Sequence, residues 1–495
     1  MLKNITPEQA GISSRHVEKF LRKLEARGLC THSVLLMRGN DIFCEAYWKP
    51  FDQNFCHRMY SQTKSYVAIA IGLLEEDGKL NLDDPIVKYF PDKLDGEIPT
   101  YLARQTIRHM LTMETAGSNP NWFKEEDPDR THLYLNKNSG AVPPGTRWAY
   151  DSSGSQVLGA LVERLSGQRL YDFLNERIFK HLGAFQTATI LKTKNEDSWA
   201  DSALLCTPRD TVTFCRFLMN YGTWEGKRLM NEAYIRQATS PLVSNDQMGF
   251  DAYNTGGYGY QIWTAGEDCF FFNGMCCQLA VCFPKLDLIM AITSDNDNFY
   301  PSKNLVFAAL EDFILDYLQD APLAEDPEGV QSLGSYISTL QLRCLSGHKP
   351  RYMESFVSRM QDKIWVCQPR QPGIAWFSLH FNGDDTGELR FENAQGKKVL
   401  PFGLGKNVFC KFPQEGYSND HGGLETKGFY YDCAVSAALR EENKLQLKVQ
   451  IIDRYFGNCL FTLGFAGEDA VLVMYNNCEN YMEQYRGAVP AKLAK

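Results

Sequence analysis

The chain reads as an α+β protein in two parts: an antiparallel sheet flanked by helices, with a helical subdomain, followed by an all-β, barrel-like domain. Three observations predict this. Its 495 residues exceed what one ordinary core covers, so two or three domains are expected. Up to about residue 320, helical periodicities lie between two strand pairs, one near each end of that stretch. Beyond about residue 360 the pattern becomes many short strands separated by turn signals, as in a small barrel or sandwich. A hydrophobic fraction of 44% with 13% aromatics supports a folded globular chain rather than a disordered one.

The elements follow in order. Ser13 or Ser14 can cap a helix over roughly 15–27, where Val17, Phe20, Leu21 and Leu24 recur at helical spacing. SVLLMRGNDIFCEAYW gives two apolar strands joined by Arg38-Gly39-Asn40-Asp41, a hairpin signal. RMYSQTKSYVAIAIGLLEEDGKL then reads as a long, buried helix, uncharged between Lys64 and Glu75-Glu76-Asp77, with Gly78 as its stop. Residues 100–150 read as short helices and turn-rich loop, and SGSQVLGALVERLSG as an amphipathic helix stopped by Gly167. FFFNGMCCQLAVCF, the turn Pro284-Lys285-Leu286-Asp287, and LIMAITS make a second hairpin, and a helix over about 306–320 closes the first domain. APLAEDPEGV looks like a boundary, and one more helical piece follows it. Further on, Leu445, Leu447, Val449 and Ile451 keep period two among other strand-like runs. The expected layout is a first domain over 1–325, a linking helical segment over 326–355 and a β-barrel over 356–495.

A net charge of −9, without a block of like charge, argues against nucleic-acid partners and anionic membrane surfaces. No apolar run reaches membrane-spanning length, and the N-terminal stretch enters a helix pattern without a secretory-type core. The 15 cysteines are odd in number and scattered, without a CxxC pair, which fits free thiols in a reducing cytoplasm. Adjacent Cys276 and Cys277 read as small residues filling a tight strand rather than as a redox pair. His, Cys and carboxylate residues show no metal-ligand spacing, so neither a metal nor another cofactor is expected. The expected partner is a small-molecule or short-peptide substrate, and a homo-oligomer is left open.

Chemistry concentrates in three short stretches. Ser61 and Lys64 stand three apart at the start of the buried helix, so both side chains share a face and the amine can reach the serine oxygen. The helix N-terminus adds unpaired N–H groups and a positive dipole. A plain helix start with a solvated lysine would show the same letters, and Ser346-Gly-His-Lys349 repeats the spacing in a loop context. RWAYDSSGSQVLG places Tyr150, Asp151 and Ser152 in the loop before a helix. A phenol becomes a useful base only where a nearby ammonium favours the phenolate, and Lys64 can supply that field. A packed core tyrosine would read the same way, and Tyr336-Ile-Ser338 repeats that spacing too. In the third stretch, Gly274 lets a substrate lie along the backbone, and the N–H of Met275 can point at an oxyanion.

The order SQTK, PGTRWAYDSSG, NGMCCQ, followed by a hairpin and helix, resembles the serine β-lactamase and penicillin-binding protein superfamily. The likeness is nearest its class C-like branch of esterases, D-aminopeptidases and D-alanyl-D-alanine carboxypeptidases. It covers about residues 6–320, including ITPEQAGISS, EEDGKLNLDDPIVKYFP and TIRHMLTMETAG. The resemblance implies a β-lactamase/transpeptidase-like domain, and the second domain resembles the lipocalin-like appendages of some relatives. It implies Ser61 as acylated nucleophile, with Lys64 and Tyr150 sharing its proton and leaving open which is the base. It also implies an oxyanion hole from the N–H groups of Ser61 and Met275, with Ser152 contacting the substrate's ester or amide. Phe272 and Asn273 stand where the family's third motif, ending at Gly274, carries a cation and its neighbour. That departure favours a neutral ester, amide or small peptide over a carboxylate-anchored substrate. The competing expectation is a binding module that keeps the fold and holds peptide-like or β-lactam-like ligands without turnover.

The remaining residues draw plainer readings. His57 reads as a partly buried polar residue and His109 as structural. Trp122, Trp148, Tyr258 and Tyr260 read as core aromatics before cleft residues, and Asp420-His421-Gly422-Gly423 as a turn.

Overall fold

A computed structural model describes residues 2–119, 125–246, 255–296, 301–345, 350–369, 373–417, 422, 425–478, 482 and 484–495. Ser346–Lys349, Trp122 and most of the 420–423 turn lie outside them. The chain divides into two units, Met1–Gln341 with Asp420–Gly422, and Leu342–Asn419 with Gly423–Lys495.

The first unit is built on a sheet of strands β1 (Lys3–Asn4), β2 (Thr31–Arg38), β3 (Asp41–Tyr47), β4 (Trp263–Thr264), β5 (Phe270–Gly274), β6 (Gln278–Phe283) and β7 (Leu288–Ser294). Their order is β1-β3-β2-β7-β6-β5-β4, and every pairing except β1–β3 is antiparallel. Arg38 stands opposite Asp41 in the first hairpin. The apolar runs of β2 and β6 are continuous because both sheet faces are covered. Leu35, Met37, Ala280 and Cys282 face one core, while Val34, Leu36, Leu279 and Val281 face the other.

Helix α1 (Ser14–Ala26) and helices packed with it bury the second face; Ser13 caps it by accepting from the N–H of Arg15. Helices α2 (Thr63–Glu76), α3 (Arg130–Lys137), α4 (Ser152–Ser166) and α5 (Pro208–Met219) contribute to the first core. Helix α6 (Pro301–Phe313) returns to the second, and α7 (Pro327–Thr339) holds Tyr336 and Ser338. Twelve residues of α2, Thr63 to Leu74, are buried, which accounts for its nearly uninterrupted apolar sequence.

FFFNGMCCQLAVCF, expected as one strand, is a tight hairpin: β5 and β6 pair from Phe270↔Cys282 to Gly274↔Gln278 around Met275–Cys277. Cys276 and Cys277 take left-handed φ of 62° and 63°. The turn is held from outside itself: the Gln278 amide donates to the Met275 carbonyl at 2.9 Å and to that of Ser294 at 2.7 Å. Ser294 Oγ donates to the Cys276 carbonyl at 2.6 Å. The cysteine pair therefore occupies a turn, not a strand interior.

The second unit carries a helix, Met353–Met360, ahead of a barrel of strands β8 (Trp365–Cys367), β9 (Trp376–Phe381), β10 (Thr386–Asn393), β11 (Gly396–Leu404), β12 (Val408–Tyr417), β13 (Glu425–Glu441), β14 (Lys444–Ile451), β15 (Gly457–Ala466), β16 (Asp469–Cys478) and β17 (Gly487–Leu493). Among the described residues, nine strands close the ring in the order β11-β10-β9-β8-β17-β16-β15-β14-β13, and β12 pairs with β13. Gly403 and Leu404 of β11 meet Ser436 and Ala437 of the long β13 to complete it. Leu445, Leu447 and Val449 point inward at period two, as the alternation requires. Among the described residues no helix is long and apolar enough to cross a membrane.

Candidate active site

Ser61 lies in a 3-10 turn, Tyr60–Gln62, that runs directly into α2. The turn is stitched to the strand Leu204–Cys206. Met59 N–H donates to the Leu204 carbonyl at 2.8 Å. Thr63 Oγ1 donates to the Tyr60 carbonyl at 2.6 Å and accepts from Leu204 N–H at 3.0 Å. Lys64 falls in the first turn of α2, where its side chain folds back over Ser61. Its Nζ donates to Ser61 Oγ at 2.9 Å and to the Asp201 carbonyl at 2.6 Å. Lys64 is 1% exposed, while Ser61 is half-buried.

Tyr150 reaches this pair from the loop before α4: Lys64 Nζ lies 5.2 Å from its ring centroid. The ring stacks on Trp263 at 5.9 Å, and the tilted ring of Trp148 lies 6.4 Å from it. Asp151 sets the end of that loop as the N-cap of α4, so the helix opens at Ser152. The Asp151 carboxylate accepts from Ser153 Oγ at 2.6 Å, Gly154 N–H at 3.0 Å, Thr115 Oγ1 at 3.2 Å and Tyr134 Oη at 3.2 Å. Burial pushes its carboxyl above the ordinary range, while these donors pull it back.

At Gly274, β5 approaches the residue that leads into the serine turn. A Cβ built there would lie 2.2 Å from the Met59 carbonyl oxygen, so only a glycine permits this contact. Met275 follows, half-buried, in the turn; Asn273 is half-buried opposite Leu279, and Phe272 is fully buried against Tyr66 and Phe214. Ser61, Lys64 and Tyr150 are thus gathered in one place, with the β5 turn backed onto the residues before Ser61. Ser152 is half-buried in the first turn of α4.

Two contributors escaped the sequence reading. Gln261, at a left-handed φ of 55°, ties α2 to α4. Its carbonyl accepts from Ser65 Oγ at 2.8 Å, its Oε1 from Ser155 Oγ at 2.6 Å, and its amide donates to the Met110 carbonyl at 2.7 Å. Asp201 lies under Lys64, with Oδ2 3.8 Å from Nζ. Neither carries a local signal; the capping role of Asp151 does, in an acid just ahead of an amphipathic helix. His57 is fully rather than partly buried, with Nε2 2.9 Å from Nδ1 of His32, and burial pushes it down to about 3. His109 is structural, completing the capping box of Ile107–Leu111. Trp148, Tyr258 and Tyr260 are buried in the cores.

Residues 15–312, more than half the chain, match the family model described as Beta-lactamase. A 6-aminohexanoate-dimer hydrolase of Paenarthrobacter ureafaciens is 24% identical over 257 residues, covering 48% of this chain and 65% of that protein. Esterase EstB of Burkholderia gladioli is 29% identical over 171 residues, covering 30% of this chain and 42% of that protein. The chain thus spans less than two thirds of the length of either relative. In fold, it resembles a penicillin-binding protein homologue from Caulobacter crescentus with a TM-score of 0.51 at 15% identity, over 61% of this chain and 97% of that one.

Proposed function

The chain belongs to the Beta-lactamase family, and on that premise we propose that it is a serine hydrolase cleaving a small ester, amide or D-amino-acid-containing peptide through an acyl-enzyme on Ser61. The observation that carries this reading is the buried Lys64 Nζ donating to Ser61 Oγ at 2.9 Å, with the Tyr150 ring 5.2 Å from the same nitrogen. Ser61 Oγ attacks the substrate carbonyl carbon while its proton passes to a neighbouring base and from there to the departing alcohol or amine. Water then attacks the acyl carbon, the Ser61 oxygen leaves with a proton, and the carboxylic acid is released.

The N–H groups of Ser61 and Met275 stabilise the oxyanion in both halves of the reaction. Gly274 supports that role, because its close approach to Met59 holds the Met275 turn beside the serine turn. Ser152, in the first turn of α4, contacts the scissile group, and Asn273 the rest of the substrate along β5. Phe272, buried against Tyr66 and Phe214, leaves that position without a cation, which supports a neutral acyl group.

The test is labelling with a fluorophosphonate, followed by peptide mass spectrometry and a panel of p-nitrophenyl esters, D-amino-acid amides and nitrocefin. Ser61 is expected to carry the adduct, and Ser61→Ala to lose both adduct and turnover. Equal labelling of Ser61→Ala would refute the reading. An acyl adduct on Ser61 that never hydrolyses would identify a binding module without turnover.

A further inference from the structure

Asp201 is a buried carboxylate to which the proposed reaction assigns nothing. It lies between the strands Thr189–Ile190 and Leu204–Cys206, with a side chain only 3% exposed. One oxygen, Oδ2, lies 3.8 Å from Lys64 Nζ, and the Asp201 backbone carbonyl accepts from that nitrogen at 2.6 Å. The other oxygen, Oδ1, lies 4.0 Å from the guanidinium of Arg130. Arg130 and Arg58 flank the ring of Trp199, at 4.8 Å and 4.6 Å from its centroid. Arg58 is further fixed by donating to the Ser202 carbonyl at 3.1 Å.

One carboxylate therefore serves three buried or nearly buried cations. An ammonium taken from water is disfavoured by burial and by like charges nearby, and favoured by an opposite charge. Without the Asp201 carboxylate, Lys64 would keep only neutral oxygens as hydrogen-bond partners. A free amine would gain nothing from a carboxylate at this distance, whereas an ammonium gains directly from it. The carboxylate is in turn supported by the same cations: burial pushes it up, and Lys64, Arg130 and Arg58 pull it back down. The residue before it packs closely on α4: a Cβ at Gly159 would lie 2.0 Å from the Ala200 side chain.

We propose that Asp201 is a positioning residue that holds Lys64 as an ammonium aimed at Ser61 Oγ, so that Lys64 donates to the serine oxygen and Tyr150 accepts the serine proton. This rests on the reading of Ser61 as nucleophile. The groups facing Lys64 are Ser61, Tyr150 and Asp201, and those facing Asp201 are Lys64, Arg58, Arg130 and Trp199.

Two readouts test it. In the full-length protein, the pH profile of kcat/KM for p-nitrophenyl acetate is compared between the parent and Asp201→Asn. Loss of the ammonium closes the alkaline side of the profile, so that limb is expected to move to lower pH by about one unit or more in the variant. If Lys64 were the amine base, the variant would move the acidic limb and leave the alkaline one in place, which overturns the proposal. The second readout is a nuclear magnetic resonance titration of protein labelled at lysine Cε, with the Lys64 signal assigned through Lys64→Arg. Its midpoint is expected to fall in Asp201→Asn, and an unchanged midpoint overturns the proposal whether or not Ser61 reacts. Failure of fluorophosphonate to label Ser61 would remove the hydrolase reading alone, since this titration still reports on Asp201. Should Asp201→Asn not fold, Arg130→Met removes a competing cation, and both limb and midpoint are expected to move to higher pH; no movement there overturns the proposal equally.

Discussion

Gly274→Ala tests whether the β5 turn works by being close to the serine. The added Cβ would sit 2.2 Å from the Met59 carbonyl oxygen and 3.0 Å from the Gln278 Cβ. Ordinary contact begins near 3.4 Å, so strand and serine turn must separate by roughly 1 Å. Neither side can yield by changing a rotamer. Met59 is tied by its own N–H to Leu204 at 2.8 Å, and Gly274 is paired with Gln278. The shift therefore falls on the path between Ser61 and the Met275 N–H. Misplacement by about 1 Å costs on the order of 10²-fold in rate, and loss of one oxyanion donor costs about 10²–10³-fold. Overpacking adds about 1–3 kcal/mol of destabilisation. Measured as kcat/KM on p-nitrophenyl acetate beside a urea melt, Gly274→Ala should lose at least about 10²-fold while remaining folded at 25 °C. Gly334→Ala in α7, with nothing within 4 Å of its added Cβ, is the control. It should gain about 0.5–1 kcal/mol and keep full activity. A Gly274→Ala enzyme within about threefold of the parent, less than 1 kcal/mol in the barrier, would refute the reasoning.

Three further outcomes are expected. Asp151→Ala removes the N-cap of α4 and leaves the hydroxyls of Ser153, Thr115 and Tyr134 without their carboxylate; urea denaturation should show a loss of about 2–4 kcal/mol, and a loss under about 1 kcal/mol would contradict the capping role. His132 bonds Asp95 at 2.9 Å and Asp127 at 2.6 Å, and these bonds raise it above its ordinary 6.5. The folded state then binds the proton more tightly, so this stability is complete below pH 6.5 and fades as pH rises through the folded value. Partly exposed pairs are worth about 0.2–1 kcal/mol, and His132→Asn should flatten the melting-temperature profile above neutrality by that amount; an unaltered slope would refute it. His57, pushed down to about 3 by burial, stays neutral where an unfolded histidine would charge, so stability falls as pH drops below 6.5 toward 3. His57→Gln should lessen the acid slope of urea midpoints between those limits, and an equal slope would count against burial of a neutral ring.

How much of this was readable in advance depends on the range of the interaction that fixes each feature. Helix α1 with its Ser13 cap, the Arg38–Asp41 turn and the stop of α4 at Gly167, which takes φ 71°, are decided by neighbours in sequence. So is the sharing of a helix face by Ser61 and Lys64. The hairpin inside FFFNGMCCQLAVCF is not: cysteines carry its left-handed turn, against their own preference, because Gln278 and Ser294 satisfy the turn's carbonyls. The surroundings of the serine are less local still. Met59 is approached by Gly274, Thr63 is bonded by Leu204, Lys64 by Asp201 and Ser65 by Gln261, four contacts on closely spaced residues from three distant stretches, around 201–204, 261 and 274. Of these partners only Gly274 carries a local signal; Leu204, Asp201 and Gln261 are each a single unremarked letter in their own stretch. The spacing of serine and lysine brings the two groups to one helix face, but the charge beside that lysine comes from a residue 137 positions away. Local sequence can therefore nominate the pair, while the groups that surround it are a property of the completed fold.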